Sequence, residues 1–176
     1  TAIPTGDNIF TYRNVENART IGTEWVLSYQ HKLSSDDSKF IVTFSGTSIR
    51  GDELIKNSLI ETKEPMVGIP PTRVRLFGIY EKEVNDKTTF SIDAGVEKIS
   101  DFDRLPERFI SQTFAVVATD GYWLVNGGIE LTHNFPKNEL ILGISGTNLT
   151  NSSYFPFGTR VLDMSRNILF SVKYKF

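Results

Sequence analysis

Cysteine is absent from the 176 residues, which excludes a disulfide framework, a thiolate metal site and a cysteine nucleophile. No apolar run approaches the roughly 18 unbroken residues that a transmembrane helix requires. Charge of one sign is also lacking: Lys plus Arg number 19 against 21 Asp plus Glu, a formal net charge of −2. With no basic run and no nucleic-acid motif, no nucleic-acid partner is expected. Histidine is scarce, and His31 and His133 both fall near short polar turns with no nucleophile in any motif. They read as solvated turn residues rather than a general base or a metal pair, so no catalytic residue and no enzymatic activity is expected. Thr1 to Asp7 carries neither a basic n-region nor an apolar h-region. The expectation is that a signal was removed or that the natural N-terminus lies further upstream. A 3.6-residue apolar stripe is missing as well. The nearest approach is Arg50 to Glu64, where Leu54, Ile55, Leu59 and Ile60 are loosely helix-spaced; it is read as a loop with one turn.

What the chain has is aromatic residues and glycine: 13 Phe, 6 Tyr, 2 Trp and 13 Gly, a β-rich composition with many turns. Period-two alternation recurs throughout. Thr20 to Gln30 sets Ile21, Trp25, Leu27 and Tyr29 against Glu24, Ser28 and Gln30. Lys39 to Ser48 sets Phe40, Val42 and Phe44 against Thr43, Ser45 and Thr47, with Ile41 an apolar exception. Arg73 to Lys82 sets Val74, Leu76 and Tyr80 against Arg73, Arg75 and Glu81. Thr88 to Lys98 is cleanest, with Phe90, Ile92, Ala94 and Val96 opposite Thr89, Ser91, Asp93, Gly95 and Glu97. Tyr122 to Thr132 and Glu139 to Asn148 continue the pattern. In the last strand Ile168, Phe170, Val172, Tyr174 and Phe176 oppose Asn167, Ser171, Lys173 and Lys175. Each is a strand of a sheet with one oily and one polar surface.

The connections alternate in length. Lys32 to Asp37, Val84 to Lys87 and His133 to Asn138 are short and polar; Ile49 to Pro71, Ile99 to Gly121 and Thr150 to Met164 are long. Antiparallel strands near ten residues, with short turns at one end and long loops at the other, are the organisation of an outer-membrane barrel. A soluble up-and-down barrel would fill its interior with apolar side chains or a greasy cavity. Here the second face carries Glu24, Arg73, Arg75, Asp93, Glu97 and Glu130. The fold expected is therefore all-β, an antiparallel transmembrane barrel segment of seven or eight strands. Counting back from Phe176 gives seven, the first extending up through Ile9 to Tyr12. An odd number cannot close a single-chain bacterial barrel, so residues 1–176 read as the C-terminal part of a larger one. If residues 8–14 form a separate strand the count is eight, and a complete small barrel with an adhesive or structural role is the alternative. A soluble β-barrel binding an apolar ligand is the second alternative.

Several local sequences together resemble the C-terminal barrel of TonB-dependent outer-membrane receptors. Asn14-Val15 followed by Ala18-Arg19 and Gly22-Thr23-Glu24 resembles the opening of a long descending strand in that family. Gly68 to Arg73 is similar to its proline-containing approach to the next descending strand. Asn148-Leu149-Thr150-Asn151 with Tyr154 resembles the element after its penultimate strand, and Phe170 to Phe176 its terminal strand. The N-terminal plug, the TonB box and the earlier strands of such a receptor have no counterpart here. The resemblance implies roughly the last third of a 22-stranded barrel in the bacterial outer membrane. It also implies TonB-dependent uptake of a siderophore, haem, cobalamin or similar nutrient, with no cofactor. The implied partners are outer-membrane lipid, the barrel-assembly machinery acting on the Phe170, Val172, Tyr174 and Phe176 strand, a TonB-type energy-transducing complex reached through the missing plug, and the imported small molecule.

Two sets of residues are candidates for contact with ligand. Glu24, Arg73, Arg75, Asp93, Glu97 and Glu130 are read as lumen-facing; they either guide an anionic solute and touch the plug or, the preferred reading, pair across strands in a hydrated interior. Phe109, Phe114, Tyr154 and Phe155 stand in the long loops, where binding residues concentrate; they either grip a flat ligand or form the upper aromatic girdle, the reading preferred. Asp101, Asp103 and Glu107 lack the spacing of a calcium loop and read as a solvated tip. Asn148 and Asn151 match a glycosylation acceptor pattern but are better explained as turn formers.

Overall fold

The computed structural model describes residues 2–5, 9–12, 17–33, 37–57, 60–106, 117–163 and 165–176. Among these the fold is all-β with no helix. The strands are β1 Ala2–Thr5, β2 Ile9–Tyr12, β3 Asn17–Leu33, β4 Ser38–Asn57, β5 Ile60–Pro65, β6 Arg73–Asn85, β7 Thr88–Ile99, β8 Tyr122–Asn134, β9 Glu139–Thr147 and β10 Asn167–Lys175. One antiparallel sheet runs β10-β9-β8-β7-β6-β4-β3, with β5 joined to the far end of β4. Sequence neighbours pair along this order except at β5, which β4 passes to pair with β6 as well.

Two sequence expectations are corrected. Ile9 to Tyr12 neither extends β3 nor adds an eighth strand to this sheet; β2 pairs β1 in a small sheet of its own, Ala2 opposite Tyr12 and Thr5 opposite Ile9. Arg50 to Glu64, read as a loop, is largely extended: β4 runs on to Asn57, and β5 returns along it, with Asp52 opposite Pro65 and Asn57 opposite Ile60. β5 and β6 therefore lie end to end along β4. Between them Gly68 takes a left-handed φ of 84° and Pro70-Pro71 supplies no amide donor, which breaks the ladder. Gly51 admits this segment: a Cβ there would sit 2.7 Å from Ile69 Cδ1 and 3.0 Å from Met66 Sδ. The Met66 amide then donates to the Gly51 carbonyl at 3.0 Å.

Register fixes the faces, because directly opposed residues share one. Tyr29, Val42, Gly78, Ala94, Gly127, Gly146 and Ile168 form one row across all seven through strands. The adjoining row is His31, Phe40, Tyr80, Ile92, Ile129, Ile144 and Phe170. Nothing in the described chain covers this apolar surface: Leu27 is 70% exposed, Phe170 73% and Val172 76%. Buried apolar side chains are instead found at the long-loop end, where Ile99, Phe102 and Pro106 are enclosed. Phe102 bridges to Thr119 in backbone pairing and meets the Phe157 ring edge-on, 4.7 Å between centroids. The two edges of the sheet, β3 and β10, have no described neighbour on their outer sides.

Candidate functional site

The opposite face carries most of the charged residues of the sheet. Register sets Glu24 against Thr47 and Thr47 against Arg73, Arg75 against Glu97, Asp93 against Gly128 and Ser91 against Glu130. All six residues proposed from sequence as lumen-facing thus share one face. Glu97, an almost buried side chain, passes over its direct partner Arg75 and pairs diagonally with the Arg73 Nε. Arg75 lies on the Phe77 ring, 4.7 Å from its centroid. That ring in turn lies across Gly95, where a Cβ would come within 2.9 Å of Phe77 Cδ2. Glu24, Ser45, Thr47, Arg73, Arg75 and Glu97 line an open cavity of about 330 Å³. Asp93 and Glu130 lie beyond it, nearer the short turns. At that end Lys39 pairs with Glu81 at 2.5 Å, and Lys175 pairs with Glu139 directly opposite.

The long-loop end is tied together by polar and aromatic contacts. Asp52, beyond the point where β4 leaves β6, accepts a hydrogen bond from Arg104 Nη2 at 2.8 Å and lies 3.3 Å from Lys63 Nζ and 3.5 Å from Arg50 Nε. Desolvation pushes the Asp52 carboxyl up, but the hydrogen bonds from Lys63 and Arg104 outweigh it and hold it below the ordinary carboxylate value. Tyr154 stacks on Tyr122 with centroids 4.0 Å apart, and its hydroxyl donates to Asp163 Oδ2 at 2.6 Å. Desolvation and that hydrogen bond push its phenol far above the usual tyrosine value, so Tyr154 remains a donor. Phe155 is half exposed and lines an open cavity of about 380 Å³ with Val117, Ala118, Thr119, Thr159 and Arg160. Phe109 and Phe114, the other two aromatic candidates, lie outside the described residues, as does Glu107.

Asn148 and Asn151 both adopt left-handed backbone, φ 50° and 54°. Asn148 is buried; its amide donates to Asn126 Oδ1 at 2.9 Å, its side chain receives the Ser152 amide at 2.9 Å, and its Nδ2 returns a bond to the Ser152 carbonyl at 2.8 Å. Asn151 Oδ1 accepts from the Arg166 amide at 3.0 Å. These asparagines turn the chain at the end of β9 and anchor the start of β10. On β10, Phe170 faces Ile144, Val172 faces Leu142 and Tyr174 faces Leu140, with the Tyr174 hydroxyl accepting from Asn138 Nδ2 at 2.5 Å. Phe176 follows at the short-turn end, fully exposed.

Sequence reasoning missed the Asp52 cluster. Its members come from residues 50, 52, 63 and 104, so no short motif announces it; the only local cue is the alternation of Arg50 and Asp52 within a segment read as a loop. Among the described residues no group of three or more His, Cys, Asp or Glu is placed to hold a metal ion. No protein-family model, curated protein or solved structure matches the chain.

Proposed function

We propose that this chain is the C-terminal segment of a larger outer-membrane β-barrel, and that the whole barrel is a receptor for TonB-dependent uptake of a small nutrient. The observation that carries the first half is the pairing of an uncovered apolar face across seven strands with an opposite face that holds the Lys39–Glu81 and Arg73–Glu97 ion pairs. Lipid as the surroundings of this surface is supported by its extent: soluble monomers rarely expose contiguous apolar patches beyond a few hundred Å². Lipid also requires each backbone group to be paired within the protein. The unpaired outer sides of β3 and β10 then need further strands to complete a wall. At about 3.4 Å per residue the 20-residue β4 spans about 68 Å, well beyond the about 30 Å of hydrocarbon. Its upper part with β5 would stand outside the membrane. The receptor assignment rests on the resemblance of the Ala18-Arg19, Gly68–Arg73, Asn148–Asn151 and Phe170–Phe176 elements.

An antibody to this segment, used on fractionated membranes of the source cell, tests the proposal. The expected result is a band several times larger than 19.9 kDa in the outer-membrane fraction, shifting in gel mobility when boiled. A soluble band ends the membrane reading, and an outer-membrane band of the segment's own size ends the larger-barrel reading.

A further inference from the structure

We propose that Arg75 anchors an oxyanion site on the polar face, built for a small monocarboxylate. Of the two arginines on this face of β6, Arg73 is already neutralised by Glu97, whereas Arg75 makes no ion pair and no hydrogen bond among the described residues. Its direct cross-strand partner on β7 is a glutamate, yet that glutamate bonds elsewhere. Phe77 supports the guanidinium from one side at 4.7 Å, and Gly95 makes room for the ring. A guanidinium stacked on a ring keeps its N–H edge free, and that fork matches the two oxygens of a carboxylate. Ser45, directly opposite Arg75 on β4, lines the same cavity and adds a hydroxyl to it. The cavity of about 330 Å³ that Arg75 borders has the volume for a small solute.

Charge selects the ligand. Glu97 and Glu24 border the same cavity, so a multiply charged anion meets two carboxylates while a single carboxylate meets one uncommitted cation. A ligand carrying one carboxylate on a neutral or cationic body suits this balance; citrate does not. The inference rests on the barrel reading in one respect, that the polar face meets water.

The test is an NMR titration of the purified full-length protein in detergent with ¹³C-acetate, and with citrate as the polyanion. The unmodified protein is expected to bind acetate and to prefer it to citrate. Arg75→Gln should weaken acetate by about tenfold, the scale of a lost charge-assisted pair, and Arg75→Lys should fall between because it keeps charge without the fork. Phe77→Ala should weaken binding in the same direction, and Lys173→Gln, on β10 of the same face, should leave it unchanged. Each variant is first checked for the boiling-dependent mobility shift. Absence of acetate binding by a correctly shifted protein overturns the site and leaves the barrel reading standing; so does an Arg75→Gln affinity within twofold of the unmodified protein. Loss of the mobility shift in the unmodified protein counts against the barrel instead.

Discussion

Single residues show what this fold asks of its side chains. Asn148 holds a left-handed backbone and satisfies both amide and carbonyl of Ser152, so no other side chain does its two tasks together. Asn148→Gly tolerates the φ but loses the side-chain bonds, a cost of about 2 kcal/mol; Asn148→Ala adds steric strain and should cost about 3 kcal/mol. Urea titration of the folded full-length protein orders the two, and an alanine variant no worse than glycine would remove backbone strain from the account. Adjacent residues on β7 test the faces. Ile92, exposed between Tyr80 and Ile129, should cost about 2–4 kcal/mol as Ile92→Arg if that face meets lipid. Ser91→Arg, facing Glu81 and Glu130 on the other side, should cost far less. Gly95 would be a poor control on that face, because any side chain there displaces the Phe77 ring. Equal losses at Ile92 and Ser91 would mean that the two faces see the same solvent.

Elements were legible from sequence wherever the two sides of a strand see different surroundings. β3, β4, β6, β7, β8, β9 and β10 all carry period-two alternation, and all but β4, which runs on past its expected end at Ser48 to Asn57, appear within a few residues of the expected bounds. The β4–β5 hairpin did not announce itself, and the reason is physical. Past Thr47 β4 leaves β6 and runs alongside β5, where Arg50, Asp52 and Glu53 occupy both faces, so the pattern that betrays a strand is absent. Its position is held instead by charge. Arg104, from the segment after β7, reaches Asp52 across more than fifty residues of sequence. Arg104→Ala should therefore free the hairpin and speed trypsin cleavage at Lys63 severalfold on intact membranes, read by mass spectrometry. Acid should act on the same contact. The folded Asp52 carboxyl lies below its ordinary value of about 3.9, so its contribution is present above that value and is lost as pH falls through the depressed folded value. Cleavage by an acid-active protease such as pepsin should rise over that window in the unmodified protein and rise less in the Arg104→Ala variant, whose contact is already gone. An unchanged rate at Lys63 would assign the hairpin to the Met66–Gly51 backbone bond and the packing of Ile69 on Gly51.

At the scale of the whole molecule the decisive property is an apolar sheet face that no described residue covers, between two edges that no described strand pairs. A soluble β-sheet protein hides one face of its sheet; here the sheet's apolar face hides nothing, and the enclosed apolar side chains sit among the long loops. That much the alternation implied, since a polar second face leaves no interior for the oily one. The cavity that Arg75 borders was legible only as a set of charges, because register sets Glu97 against Arg75 while its side chain reaches diagonally to Arg73, a choice that no sequence spacing announces. The loop cap was hardest to foresee: Tyr122 with Tyr154 and Phe102 with Phe157 are pairs brought together from different long loops. Both sheet edges are long, β3 at 17 residues and β10 at 9, and neither is blunted by proline. An unpaired edge of that length recruits other strands. Residues 1–176 refolded alone into detergent should accordingly give the circular dichroism of β-structure but migrate as a ladder of oligomers, without a discrete boiling-sensitive monomer. If the larger-barrel proposal holds, supplying the strands that complete the wall should collapse that ladder to one compact species. A boiling-sensitive monomer from the 176 residues alone would mean that β3 and β10 can find each other, and the wall would then close with seven through strands and no others.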